Sequence, residues 1–350
     1  MEISTNGSAG HVDEVVTRSE EIVQRNKCRA FLSPYFNENG KETYIGRYNI
    51  GAITMILPKY AIESKGNKKK FYGYIDKYMD MIAKVHDFTY RRMANKKASS
   101  NPLFFCEGGC SVKTKPNDTI EKALEIATAS FGMIGGNEAS YLMTGKYIHE
   151  DNSFIIEVME YIQDRIDMYK DKYNRLFAFY MTPSEGLCDK ALKKDLKKYG
   201  VIKGVTDKEW YTNSFHCDVR ANIDALTKMD IEKPMFDIAK GGRIVYTEIP
   251  DMDNIEALED IINHAMTRGL YYGVNLEKGH CYDCNERGEF PNGICTNCGS
   301  RNVSITDRCC GYLGLKKVGD DTRYNEGKKA ETENRVKHYN KVIANGLKEE

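Results

Sequence analysis

Apolar residues recur at helical spacing along two long stretches of the chain. Ile75, Tyr78, Met79, Ile82, Val85 and Phe88 would share one face of a helix, and Ile155, Met159, Ile162, Ile166 and Tyr169 one face of another. A third helix is expected to carry Ile120, Ala123, Leu124 and Ala127, with Asp118 as its N-cap. Short apolar runs of strand length alternate with these stretches, at 176–181, 243–248 and 270–275. A further run at 50–57 reads as a buried strand, and Asn37-Glu38-Asn39-Gly40 ahead of it as a turn. Helices and strands in alternation argue an α/β layered or barrel architecture.

The pattern changes near residue 278. The last sixty-odd residues are rich in Cys, Gly, Asn and charge and short of aliphatics, which suggests a small lobe held by something other than a large core. At the other end, residues 1–26 begin as a Ser/Gly-containing tail and become a charged helical lead-in. Lys plus Arg and Asp plus Glu each number 51, so the formal charge is zero and a polyelectrolyte partner such as nucleic acid is not indicated. No apolar run has the length of a membrane span, and the first eleven residues carry no hydrophobic signal segment. Eleven cysteines in 350 residues are too sparse for a disulfide scaffold. Their spacing points instead to metal binding in a reducing cytoplasm.

Cys281-x2-Cys284 and Cys295-x2-Cys298 stand ten residues apart. Each Cys-x-x-Cys turn sets two thiolates on one side of a tight knuckle, and two facing knuckles give the tetrahedral sulfur cage that Zn2+ prefers. A redox dithiol pair is the alternative. Gly288, Asn292-Gly293 and Gly299 would supply the turns. Four cysteines close the coordination shell, so the expected zinc is structural, with His280 not needed as a ligand.

Beyond the knuckles runs Arg308-Cys309-Cys310-Gly311-Tyr312-Leu313-Gly314. Alone, Gly311 reads as a turn glycine. After a four-cysteine module, however, the segment resembles the glycyl-radical motif of class III anaerobic ribonucleoside-triphosphate reductases. Glycine suits that chemistry because a planar α-carbon radical between amide and carbonyl is delocalised and a side chain would crowd it. The resemblance extends over residues 27–338. Lys27-Cys28-Arg29-Ala30-Phe31-Leu32-Ser33-Pro34 resembles the family's finger loop and Gly46-Arg47-Tyr48-Asn49-Ile50-Gly51 the strand after it. Met181-Thr182-Pro183-Ser184-Glu185, Tyr211-Thr212-Asn213-Ser214-Phe215-His216, Gly241-Gly242 and the tail Asn325-Glu326-Gly327 to Arg335-Val336-Lys337-His338 are similar to further family motifs. Position 309 is Cys where the family has Val or Thr, and Gly136-Asn137-Glu138 departs from its pattern, so no role is assigned there.

The resemblance implies half of a ten-stranded glycyl-radical-enzyme α/β barrel with its finger loop over 27–277, a zinc-ribbon-like module over 278–302, and the radical loop and tail over 303–350. It implies a stable radical on Gly311, a transient thiyl on Cys28 and formate, oriented by Asn49, as reductant of ribonucleoside triphosphates. Read without the motif, Cys28 is an ordinary buried cysteine and Asn49 a polar residue ending a turn. Thr182, Ser184, Glu185 and Gly186 are the expected substrate-phosphate residues. Thr182 suits N-cap, Pro183 the first position and Glu185 a capping box, in a helix ending at Gly200. Such an N-terminus offers backbone N–H groups to an anion, although a plain cap fits as well. Partners implied are an N-terminal reductase polypeptide carrying the missing front half (a split gene or a fragment), a radical-SAM activating enzyme and a dimeric assembly. A non-catalytic zinc-containing assembly subunit and another glycyl-radical enzyme such as an acyl-lyase are the alternatives.

Overall fold

A computed structural model of the chain describes residues 31–184, 186–249, 254–309 and 313–336. Cys28, Glu185 and Gly311, the expected thiyl, phosphate-binding and radical residues, lie outside the described residues.

The body is built on parallel strands. β1 (Tyr48–Ile56), β2 (Ala127–Ile134) and β3 (Leu176–Tyr180) form a three-stranded sheet in that order, with both pairings parallel. Parallel neighbours need crossovers, and helices supply them. Leu57–Ser64 (α1) and Lys68–Ala94 (α2) link β1 to β2, and Gly136–Thr144 (α3) and Ser153–Tyr173 (α4) link β2 to β3. After Leu187–Tyr199 (α5) and Ala225–Ile238 (α6) comes a second parallel pair, β4 (Val245–Glu248) and β5 (Tyr272–Asn275), joined through Ile255–Thr267 (α7). Backbone bonds from Gly241 N to Phe179 O (2.7 Å) and from Met181 N to Gly242 O (2.9 Å) lay the approach to β4 along β3. The turn after Asn37 and the three runs assigned to strands are all present.

Three expectations are corrected. The 50–57 run is a strand, but β1 stands at the sheet's edge and is only half-buried, with Gly51 and Ala52 exposed. The fully buried strand is β2, which pairs on both sides. It takes Ala127 from the helix expected there. That helix is only a 3-10 segment, Lys122–Ile126, without a side-chain cap, because Ala98 N and Lys115 O tie down the backbone of Asp118. The third correction concerns α2. Its buried face is Phe71, Ile75, Met79, Ile82, His86 and Tyr90, while Val85 and Phe88 are 50% and 56% exposed. His86 and Tyr90 take core positions because their polar atoms meet backbone carbonyls, Ser130 O at 3.0 Å and Ala127 O at 2.6 Å. The α4 face is buried as expected.

The C-terminal lobe is a separate antiparallel sheet in the order β10-β9-β8-β6-β7, where β6 is Lys278–Cys281, β7 Arg287–Gly288, β8 Val303–Arg308, β9 Leu313–Val318 and β10 Asp321–Thr322. Its core is small, formed by Cys281, Phe290, Cys295, Val303 and Ile305. A last helix, Glu326–Glu333 (α8), capped by Asn325, packs against α5. Among the described residues no helix is long and apolar enough to cross a membrane.

Candidate active-site cleft and four-cysteine cluster

Strands β3, β4 and β5 point their carboxyl ends at one cleft. Ser184 follows β3, while Glu248 and Asn275 end β4 and β5. Open parallel sheets bind ligands at such ends. The opposite wall comes from the 211–219 loop, with Asn213 and His216, and from Cys309 just past β8. The tail closes one side with Lys328 and Arg335. Four motifs far apart in sequence therefore meet here, those at 181–185, 211–216, 308–314 and 325–338.

Buried charge networks hold the irregular wall in place. His216 Nδ1 lies 3.1 Å from Glu232 of α6, and Glu232 also accepts from Cys217 N (2.9 Å) and pairs with Lys228 (2.8 Å). Burial works against the Glu232 charge, but Lys228 and His216 outweigh it and hold the carboxyl down at about 2. Lys228 also donates to Tyr246 O (2.6 Å), which ties α6 to β4. A second network runs behind the loop. Lys208 donates to Glu138 (2.5 Å) and Asp218 (2.9 Å), Thr212 donates to Glu138 from its N and Oγ1, and Arg220 grips Asp218 from Nε and Nη2. Burial alone would lower the Lys208 pKa, yet Glu138 and Asp218 raise it above its ordinary value. The cleft thiols of Cys188 and Cys217 are pushed up by burial, which keeps them protonated.

The expected site residues divide. Ser184 lines the cleft, its hydroxyl bonded to Thr182 O (3.3 Å). Thr182 is not a cap, because its hydroxyl is paired with that of Thr54 on β1 at 2.8 Å. The helix starts later, at Leu187, with Gly186 at N-cap and no side-chain cap, and ends at Gly200 as expected. Asn49 sits at the irregular start of β1, away from the cleft lining. Its amide donates to Ser130 Oγ (2.6 Å) and accepts from Gly51 N (2.8 Å). Glu232, Lys228, Lys208 and Asp218 went unremarked in the sequence, and Glu138 was left without a role. For Lys208 and Asp218 the available signal was their flanking of the 211–216 motif; Lys228, Glu232 and Glu138 carried none.

The second site is the cysteine cluster. The sulfurs of Cys281, Cys284, Cys295 and Cys298 all lie within 4.8 Å of one another. Cys281 and Cys298 are 3.6 Å apart and Cys284 and Cys295 3.5 Å. Tetrahedral zinc with bonds of about 2.3 Å sets sulfurs about 3.8 Å apart, so the cage fits that ion. The two knuckles are alike in backbone. Each first cysteine accepts from the amide four residues on (Asn285, Gly299) and donates to the carbonyl five on (Glu286, Ser300). Asn285 and Gly299 share a left-handed φ of 65° and 73°, which explains the glycine at 299. Gly288, expected at a turn, lies in β7 instead.

A family model described as anaerobic ribonucleoside-triphosphate reductase matches residues 9–338. The anaerobic ribonucleoside-triphosphate reductase of Salmonella typhimurium is 35% identical over 340 residues, covering 93% of this chain and 47% of that protein. That of Haemophilus influenzae is 36% identical with the same coverage. A solved structure of an anaerobic ribonucleotide reductase shares the fold with a TM-score of 0.67 at 20% identity, over 87% of this chain and 47% of that one. The chain thus spans about half the length of the curated relatives it matches. With the family model matching nearly its whole length, the chain belongs to the anaerobic ribonucleoside-triphosphate reductase family.

Proposed function

We propose that this chain supplies the C-terminal half of an anaerobic reductase that converts ribonucleoside triphosphates to deoxyribonucleotides by radical chemistry. The observation that carries the reading is the convergence of Ser184, His216 and Cys309 on one cleft at the carboxyl ends of parallel strands. Cys309 stands two residues before Gly311. On this reading the three-stranded sheet and the β4–β5 pair are half of a ten-stranded barrel. The other half would lie in the part of the relatives' length that this chain does not match, supplied in the assay as a companion polypeptide. Residues 27–277 would be that half-barrel, 278–302 the zinc module, 303–350 the radical loop and tail, and 1–26 a lead-in.

The stable radical would rest on Gly311, placed by a radical-SAM activating enzyme, and pass to Cys28. A thiol suits the relay because its S–H bond is comparable in strength to the ribose C–H. The Cys28 thiyl takes the ribose 3′-hydrogen, the 2′-hydroxyl leaves with a proton as water, and the hydrogen is returned at the end. Formate supplies two electrons and leaves as carbon dioxide, oriented by Asn49, whose amide can donate to a carboxylate without acting as an acid. Ser184, with Thr182, Glu185 and Gly186 around it, would meet the substrate phosphates. Cys281, Cys284, Cys295 and Cys298 would hold a structural zinc, which supplies cohesion to a lobe of small core. The assembly is expected to be dimeric.

Reconstitution tests the reading. With companion polypeptide and activase, under anaerobic conditions, the chain should give a carbon-centred doublet by electron paramagnetic resonance and consume formate with nucleotide. Gly311→Ala should abolish the signal, and Cys28→Ser should keep it but lose turnover. A normal doublet from Gly311→Ala, or turnover by this chain without a companion, would overturn the proposal.

A further inference from the structure

The tail motif at 325–338 has no part in the chemistry proposed above, yet it is tied closely to the strand that leads to Gly311. Arg335 lies buried among three carboxylates. Its Nη1 donates to both oxygens of Asp307 (3.1 and 3.0 Å), its Nη2 to the carbonyl of Arg308 (2.9 Å) and its Nε to Glu331 (3.1 Å). Glu248, at the end of β4, stands 3.7 Å from Nε. Burial opposes the guanidinium charge, but Glu248, Glu331 and Asp307 outweigh it and hold its pKa well above the ordinary value. Lys328 pairs with Glu331 from the same helix.

Further contacts of this tail run to the same strand and to the cleft wall, while Glu326 pairs with Lys193 of α5. Tyr324 OH donates to Asp307 O (3.2 Å), Asp307 in turn accepts from Arg308 N (2.7 Å), and Val336 N donates to Val219 O (2.8 Å) in the facing cleft wall. Asp307 and Arg308 are the last residues of β8, and the next is Cys309 in the cleft. A hydrophobic anchor would hold a tail at least as well, since buried ion pairs add little net stability. What a planar guanidinium adds is register, because its donors are fixed in direction.

We propose that Arg335 is a positioning residue that fixes the end of β8 and so the placement of Cys309 at the cleft, two residues before Gly311. The consequence for the radical rests on the function proposed above, whereas the clamp itself does not. With the guanidinium gone, Asp307 and Glu331 lose their shared cation and the Arg308 carbonyl its donor, so the strand end is free to shift. Cys309 is then held less firmly at the cleft, and turnover by the proposed chemistry falls.

Hydrogen-exchange mass spectrometry of the intact chain tests the clamp directly. Arg335→Met should speed exchange of the 305–309 amides roughly tenfold or more, while the knuckle peptides and bound zinc stay as in the unaltered protein. Arg335→Lys retains the charge but not the fork and should fall between, which provides a reading if the Met variant does not fold. In the reconstituted complex, both variants should lose turnover per glycyl radical, with a shorter radical lifetime, whereas simple destabilisation would lower radical and turnover together. Unchanged exchange at 305–309 in Arg335→Lys and in any folded Arg335→Met would overturn the inference, as would unchanged turnover per radical. A complex with no radical in the unaltered protein would instead sink the proposed function, and the exchange data would still decide the clamp.

Discussion

Lys208 offers the sharpest test of how the cleft wall is held. Its side chain is 2% exposed and lies between Glu138, which is fully buried, and Asp218. In Lys208→Met the shape is largely kept and the charge removed. Asp218 keeps Arg220 at 2.9 and 2.8 Å, so it remains paired. Glu138 keeps only the two Thr212 donors and no cation. Breaking a buried pair on one side destabilises by about 3 to 5 kcal/mol. Glu138→Gln combined with Lys208→Met removes both charges and should recover most of the loss, with a coupling of roughly 2 kcal/mol or more in the double-mutant cycle. The assay is urea unfolding followed by Trp210 fluorescence. Trp210 is the chain's one tryptophan, with Lys208 Nζ 5.7 Å and the Arg220 guanidinium 5.5 Å from its ring. A loss below about 1 kcal/mol for Lys208→Met, or single losses that simply add, would refute the reasoning.

Three further outcomes are expected. Purified protein should carry about one zinc per chain, and stripping it or replacing Cys295 with Ser should disorder the β6–β10 lobe, as metal analysis with circular dichroism would detect. His86 is held neutral, its pKa pushed down to about 4 by burial. Its unfolded counterpart takes a proton first, so stability should decline as pH falls from about 6.5 to about 4, by up to about 3 kcal/mol, and His86→Gln should flatten that slope. Gly132→Ala puts a methyl group 1.9 Å from Thr182 Oγ1 and 2.9 Å from Thr54 Oγ1. It should destabilise by roughly 1 to 3 kcal/mol and weaken nucleotide binding by displacing the 182–184 segment, which calorimetry would measure.

The elements that the sequence made legible are those whose burial is apolar and periodic. The α4 face and strand β3 are of this kind, while β4 and β5 show through the apolar residues at their starts although they bury Glu248 and Asn275 at their ends. So are the knuckles, where chemistry constrains spacing. β2 was missed because its buried positions include Thr128, Ser130 and Gly132, whose polar atoms and close approach serve neighbours on other segments. The α2 face was turned because His86 and Tyr90 count as polar until their carbonyl partners on β2 are known. The start of α5 was misplaced because a capping pattern describes local preference, and Thr182 is claimed by Thr54, 128 residues away.

The same separation explains why the cleft wall was invisible in advance. Glu138 and Lys208 are 70 residues apart, Arg335 and Asp307 28, and no period or motif links them. Of the segments they hold, 208–219 lacks the backbone ladders that fix a strand or helix interior, and the end of β8 is laddered on one side only, to β9. A loop of that kind slides easily if only apolar contacts hold it, because such contacts have no direction. Directional, buried and mutually satisfied charges do not permit that sliding, since a shift of an ångström leaves an ion unpaired in a low-dielectric setting. The chain is neutral overall, yet it concentrates its buried ions at Lys208, Glu232 and Arg335, around one cleft. That concentration is what a site requires when its reacting groups sit on loops.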